Sequence, residues 1–128
     1  NQSVPESVGE IMRCIYESLA LKYRYVFDGL KNCTGKSYDK IHIMGGGTKD
    51  SLLCQMTADA CNVTVQGGPV EATVLGNIAV QLISLGDIDS ISTARSIIAT
   101  GESLTTYYPN HTQALKEALS RFSRILGK

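Results

Sequence analysis

The run Ile41-His42-Ile43-Met44 alternates as a strand does and passes at once into Gly45-Gly46-Gly47, after which Lys49 to Cys61 carries a helical pattern. This junction constrains the chain most. Three successive residues without Cβ allow a sharp strand-to-helix turn whose backbone can take φ > 0. They also let a flat ring or a phosphate come close to the main chain, with the first amides of the next helix directed at it. The glycines follow neither G-x-G-x-x-G nor the Walker pattern with its Lys-Ser/Thr ending. Tight packing, in which the turn faces only protein, is the competing reading.

The 128 residues suit one domain with a single modest core, and 43% hydrophobic with 19% charged residues is ordinary for a soluble globular chain. Twelve basic and twelve acidic residues cancel. No net field steers the chain to nucleic acid or to an anionic membrane, so neither is expected as a partner. No apolar run approaches the roughly 20 residues of a bilayer span, and Asn1 to Glu6 lacks a basic start and an apolar signal core. A cytoplasmic location is expected. Cys14, Cys33, Cys54 and Cys61 form no C-x-x-C pair and have no histidine partner at ligand spacing, which favours reduced thiols over a metal site. The triplets at Asn1, Asn32, Asn62 and Asn110 match the N-glycosylation pattern, which arises often by chance. The first residue is not Met, and a processed chain or a piece of a longer protein is expected.

Apolar residues recur at Val8, Ile11, Met12, Ile15, Leu19 and Val26 with helical spacing, giving the main stripe of a first helix. Pro5 suits its first turn, Ser7 with Glu10 suits a capping box, and Asp28-Gly29 is expected to stop it. Cys14, Leu21 and Tyr25 lie off that stripe, which predicts a second packing partner and an exposed patch if that partner is absent. Asn32 to Lys40 reads as a polar loop and Lys40 to Met44 as a strand. Thr48 is the candidate cap of the next helix, with Leu52, Leu53, Met56 and Ala60 as its buried face.

Val63-Thr64-Val65 then predicts a short strand ended by Gly67-Gly68-Pro69. A third helix over about 70–85 ends on Gly86, and Ala72, Gly76 and Ala79 share one side that allows close backbone approach. Ser90 caps a helix from Ile91 to Thr100, ended by Gly101. Leu104 to Pro109 is an extended arm, and the last helix has Leu115, Ala118, Leu119, Phe122 and Leu126 as its stripe. Lys116, Arg121, Arg124 and Lys128 form its solvated, dipole-complementing face. The pattern is a single α/β domain, residues 1–128.

Candidates for chemistry are few. His42, between two isoleucines, faces the other side of its strand, and His111 lies in the turn before the last helix. Cys54 and Cys61 share one helix face, where packing is expected. Asp59, Glu71, Asp87 and Asp89 are scattered, and no spacing pairs two acids for metal or acid-base work. The chain offers a nucleotide cradle with no catalytic residues and no metal ligands.

Three segments together carry a family resemblance: Ile41 to Gly47, Leu52 to Cys61, and Gly68-Pro69-Val70-Glu71-Ala72-Thr73-Val74-Leu75-Gly76-Asn77. They resemble the C-terminal domain of the FGGY carbohydrate kinases. The third segment, with Leu104-Thr105-Thr106-Tyr107-Tyr108-Pro109, is more similar to the rhamnulokinase branch than to the glycerol or xylulose kinases. The resemblance runs from about Pro5 to the last helix. It implies part of a ribonuclease-H-like lobe of the actin-like ATPase fold, few short strands packed with about five helices.

The resemblance further implies a parent enzyme that uses ATP and Mg²⁺ to phosphorylate L-rhamnulose at its 1-position, or another sugar such as fuculose, xylulose or ribulose. Its sugar-binding and catalytic aspartate regions would lie before the equivalent of Asn1, leaving this piece inactive alone. A non-catalytic nucleotide-binding module is the rival from another class. Gly45, Gly46 and Gly47 would form the adenosine wall, with Gly46 foremost. Asp50 stands where the family commonly has an Asn that helps hold adenine, and an ionised carboxylate accepts hydrogen bonds without donating them. The expected partners are ATP or ADP, a sugar bound through the missing lobe, and a further copy of the chain through the exposed lobe interface.

Overall fold

A computed structural model describes residues 4–127. The triplet at Asn1 and the charge of Lys128 therefore lie outside the described residues. Helix α1 (Val8–Thr34) leads into strand β1 (Lys40–Ile43), a 3₁₀ turn (Gly45–Lys49) and helix α2 (Ser51–Cys61). Strand β2 (Thr64–Gly67), helices α3 (Ala72–Leu85) and α4 (Ile91–Gly101), strand β3 (Thr105–Tyr107) and helix α5 (Gln113–Ile125) complete the order. This is an α/β arrangement of five helices and a three-stranded sheet.

The sheet runs β1-β2-β3. Strand β1 lies parallel to β2, with Ile41 opposite Val65 and His42 opposite Gln66, so the link through α2 is a crossover. Residues 104–109, expected as an extended arm, instead supply β3, antiparallel to β2 with Val65 opposite Tyr107. The difference is nonlocal: an extended Thr/Tyr-rich segment becomes a sheet strand only where another strand edge receives it. The core is small, built on Cys54, Ala58 and Val65 with Ile41, Ile43 and Tyr107 packed against them. His42 lies on the opposite face, as alternation requires.

Ser7 and Glu10 form the expected capping box on α1. Pro5 stays outside the helix, since the cap is Ser7. Asp28-Gly29 does not stop α1. Asp28 accepts from Arg24 at 2.5 Å and from Lys31 at 2.7 Å, which favours continuation. The helix ends instead on Gly35 at φ 65°.

The face of α1 turned to α2 carries the buried Ala20 and Phe27, whereas the expected stripe is exposed, Val8 at 79% and Val26 at 57%. The reason is coverage. The 11-residue α2 lies along one side of a 27-residue helix whose apolar arc is broader than that contact. Leu21, off the stripe, lines one open cavity with Leu115 and Ala118 of α5 and a second with Leu119. Cys14 is exposed.

Asp59 accepts from Gln55 and from the Asn110 amide, both at 2.8 Å, which ties the end of the β3 segment to α2. Asn62 closes α2 in the left-handed region at φ 56°, so its triplet has a structural reading as a helix cap. Helix α3 closes on Gly86, and α4 is capped by Ser90. Close approach at Gly76 does not occur: a Cβ there meets nothing within 4 Å. A cavity of about 660 Å³ between α3, α4 and the second sheet face takes up that space, because Ala72, Gly76 and Ala99 are too small to fill it.

Candidate functional site

The strand-to-helix junction is built from three differently used glycines. Gly45 takes φ +81°, a conformation that a side chain disfavours, and its amide donates to the Pro69 carbonyl at 3.0 Å. The Gly68 amide donates to the Ile43 carbonyl at 2.7 Å. The ends of β1 and β2 are thereby locked side by side. At Gly47 a Cβ would make ordinary contact with Ile43, 3.6 Å from its Cγ2.

Gly46 differs from both. It is exposed, its φ lies outside the left-handed region, and a Cβ built on it meets no atom within 4 Å. Nothing in the described chain requires glycine there. The turn presents bare backbone outward at that point.

The expected cap, Thr48, is not the cap of α2. The 3₁₀ turn absorbs Gly45–Lys49, and the Thr48 hydroxyl donates back to the Gly45 carbonyl at 2.8 Å. Asp50 takes the capping place, its Oδ1 accepting from the Leu53 amide at 3.0 Å. Its Oδ2 accepts from the Tyr16 hydroxyl of α1. The Tyr16 hydroxyl, and after it the Leu53 amide, hold the Asp50 carboxyl below the usual carboxylate range, and the same bond to Asp50 raises Tyr16. At the other end of α2, the Arg24 guanidinium donates to the Ala60 carbonyl at 2.9 Å.

Helix α1 thus holds both termini of the helix that carries the turn. No sequence signal marked Tyr16 or Arg24 for this, because each partner is more than 30 positions away. Gly45, Gly46, Gly47 and Asp50 lie together where β1 leads into α2, the Asp50 amide donating to the Gly47 carbonyl at 3.3 Å.

Cys54 and Cys61 are buried, as helix periodicity indicated, and burial raises both thiols, Cys61 to about 11. Neither is poised as a thiolate nucleophile. Glu71 sits at the start of α3 without a capping bond from its side chain. Among the described residues no group of three or more His, Cys, Asp or Glu is placed to hold a metal ion. The described residues therefore do not fit a Mg²⁺ site of their own, and a side chain at Gly46 would enter open space. Among the described residues no helix is long and apolar enough to cross a membrane.

The class defined by the fold is an α/β lobe in which a parallel strand runs into a glycine turn and a helix. Residues 1–85 match the family model for the FGGY family of carbohydrate kinases, C-terminal domain, and the chain belongs to that family. Two solved structures share the fold. One is Plasmodium falciparum glycerol kinase with ADP, at 18% identity and a TM-score of 0.78, covering 99% of this chain and 25% of that one. The other is xylulose kinase from Rhodospirillum rubrum, at 16% identity and a TM-score of 0.71, covering 99% and 26%. The chain spans about a quarter of the length of these relatives.

Proposed function

We propose that the chain is a C-terminal piece of an ATP-dependent, cytoplasmic rhamnulokinase, in which Gly45 to Gly47 form the wall against the adenosine of ATP. The parent enzyme would transfer the γ-phosphoryl group of Mg-ATP to L-rhamnulose, giving L-rhamnulose 1-phosphate. The observation that carries the nucleotide reading is Gly46: no backbone torsion and no protein neighbour calls for glycine there, and the open space beside its bare backbone admits close approach by an outside group.

In this reading ATP supplies the phosphoryl group, and the residues of this chain position its nucleoside end. The Gly45–Pro69 and Gly68–Ile43 bonds hold the turn rigid, and Asp50, clamped by Tyr16, sets the direction of α2 behind it. Pre-set geometry of this kind lowers the ordering cost of binding. Asp50 acts here as a support of the wall. The sugar is inferred from the likeness of Gly68 to Asn77 and Leu104 to Pro109 to the rhamnulokinase branch. The two structural neighbours, a glycerol and a xylulose kinase, keep another sugar as the second reading.

The test uses the longer polypeptide that the gene encodes, with ADP release followed over L-rhamnulose, L-fuculose, D-xylulose, D-ribulose and glycerol. L-rhamnulose should give the highest kcat/KM. Gly46→Val should raise the KM for ATP by at least about tenfold, roughly 1.4 kcal/mol, with the melting temperature unchanged. An unchanged KM for ATP would refute the wall, and a preference for another sugar would replace L-rhamnulose.

A further inference from the structure

The core packs on the Ile41 side of the sheet. On the other face His42 stands opposite Gln66, and a cavity of about 660 Å³ lies between that face and helices α3 and α4. Cavities of about 300–1,000 Å³ are the size that small organic ligands fill. Leu75 of α3, Ile98 of α4 and Leu104 give this one apolar walls, while His42 and Gln66 bring an imidazole and a carboxamide to its floor.

Its charge has one sign. Among the described residues Arg95 is the one Lys or Arg that lines it, and no Asp or Glu does. Arg95 lies one turn before Ile98 and Ala99 on α4, so the helix face that closes the cavity also carries the guanidinium. The cations of α1 are used differently: Arg13 pairs with Glu17, and Arg24 and Lys31 pair with Asp28. Among the described residues the side chains of Arg95, His42 and Gln66 make no hydrogen bond or ion pair.

A guanidinium grips a carboxylate through two parallel N–H bonds. The walls beside it suit an anion that brings an apolar body of its own, because a bare phosphate would leave Leu75, Ile98 and Leu104 uncovered. We propose that this cavity binds a small monocarboxylate with an aromatic or branched apolar body, the carboxylate on Arg95 and the body between Leu75, Ile98 and Leu104. A hydroxyl or carbonyl on that body would meet His42 and Gln66, each of which can donate and accept.

Phenylacetate and isocaproate test the proposal in this chain and in the longer polypeptide that the gene encodes, with phenylacetamide as the uncharged counterpart and inorganic phosphate as the anion without a body. At least one of the two carboxylates should shift the amide signals of His42, Gln66 and Gly68 saturably, with a Kd of about 1 mM or tighter. Phenylacetamide and phosphate should bind at least about tenfold more weakly. Arg95→Gln should remove that advantage of the carboxylate. Gly76→Leu should abolish binding with the melting temperature unchanged or raised, since a Cβ there meets nothing within 4 Å and leucine favours a helix over glycine.

No saturable shift, equal binding of the amide or of phosphate, or undiminished binding by Arg95→Gln or Gly76→Leu would each overturn the proposal. Binding in this chain that is lost in the longer polypeptide would overturn it too, by showing that another part of the protein fills the cavity. Binding in a polypeptide that phosphorylates no sugar would uphold the site and remove only the kinase reading.

Discussion

Tyr16 donates its phenolic hydrogen to Oδ2 of Asp50, 34 positions further along the chain, while Oδ1 of the same carboxylate caps α2. One side chain thus couples the first helix to the helix behind the glycine turn. Arg24 repeats the coupling eight residues on, at the last carbonyls of α2, where a cation also complements the helix dipole. Placement of the turn therefore depends on α1 as much as on the strand that enters it.

The coupling predicts two pH limits. The Asp50 carboxyl lies below its ordinary 3.8 in the folded chain, so its contribution is present above that value and is lost as pH falls through the folded one. The Tyr16 hydroxyl lies above its ordinary 10.0, so its contribution is complete below pH 10 and is lost as pH rises through the folded value. Tyr16→Phe should shallow both limbs, leaving on the alkaline side the share that the buried thiols contribute. Melting temperatures of both proteins from pH 2 to 11 check this; parallel curves would mean that the bond contributes nothing.

Asp50→Asn keeps an acceptor for the Leu53 amide and puts an amide donor, to which the Tyr16 oxygen can accept, where the second carboxylate oxygen was, whereas Asp50→Ala removes both. The expected loss in melting temperature is small for Asn and about 4 °C or more for Ala. Circular dichroism melts read the difference. Equal losses would show that charge, rather than capping geometry, is what Asp50 supplies.

The thiols should fall into two classes. Cys14 and Cys33 are exposed, while Cys54 and Cys61 are buried and raised by burial, Cys61 to about 11. At pH 8 an aromatic disulfide reagent should titrate Cys14 and Cys33 rapidly and reach the other two only in denaturant. Because the folded Cys61 value exceeds its ordinary 9.0, its contribution to stability is complete below pH 9 and fades as pH rises through about 11. Four fast thiols in native buffer would contradict the packing of α2.

Local signals in the sequence found the elements well. The Ser7–Glu10 capping box, the Ser90 cap, the Gly86 stop and the alternation that puts His42 opposite Ile41 are all decided within a few residues. Choices among faces were less legible. Three sides of α1 carry apolar residues, and only the position of α2 selects Ala20 and Phe27 for burial while leaving Ile15 and Val26 outside. The site followed the same division. The glycine turn was plain, but its support by Tyr16 and the use of Asp50 in place of Thr48 as cap depend on contacts far apart in sequence and on a 3₁₀ turn that absorbs Gly45–Lys49. Strand β3 likewise became visible only beside β2.

Gly45 and Gly46 should separate cleanly when each is replaced by alanine. Gly45 holds φ +81° and its amide fixes the Pro69 loop, so Gly45→Ala forces a left-handed residue and should cost about 1 kcal/mol or more. Gly46 needs no such torsion and its Cβ would enter open space, so Gly46→Ala should be neutral or stabilise by up to about 1 kcal/mol through reduced freedom of the unfolded chain. Urea melts of the two variants measure this. A destabilised Gly46→Ala would show that the turn itself requires that glycine, and would take away the observation on which the adenosine wall rests. A stable Gly46→Ala that also weakens nucleotide binding in the longer polypeptide would leave an outside group as the only reason for the missing side chain.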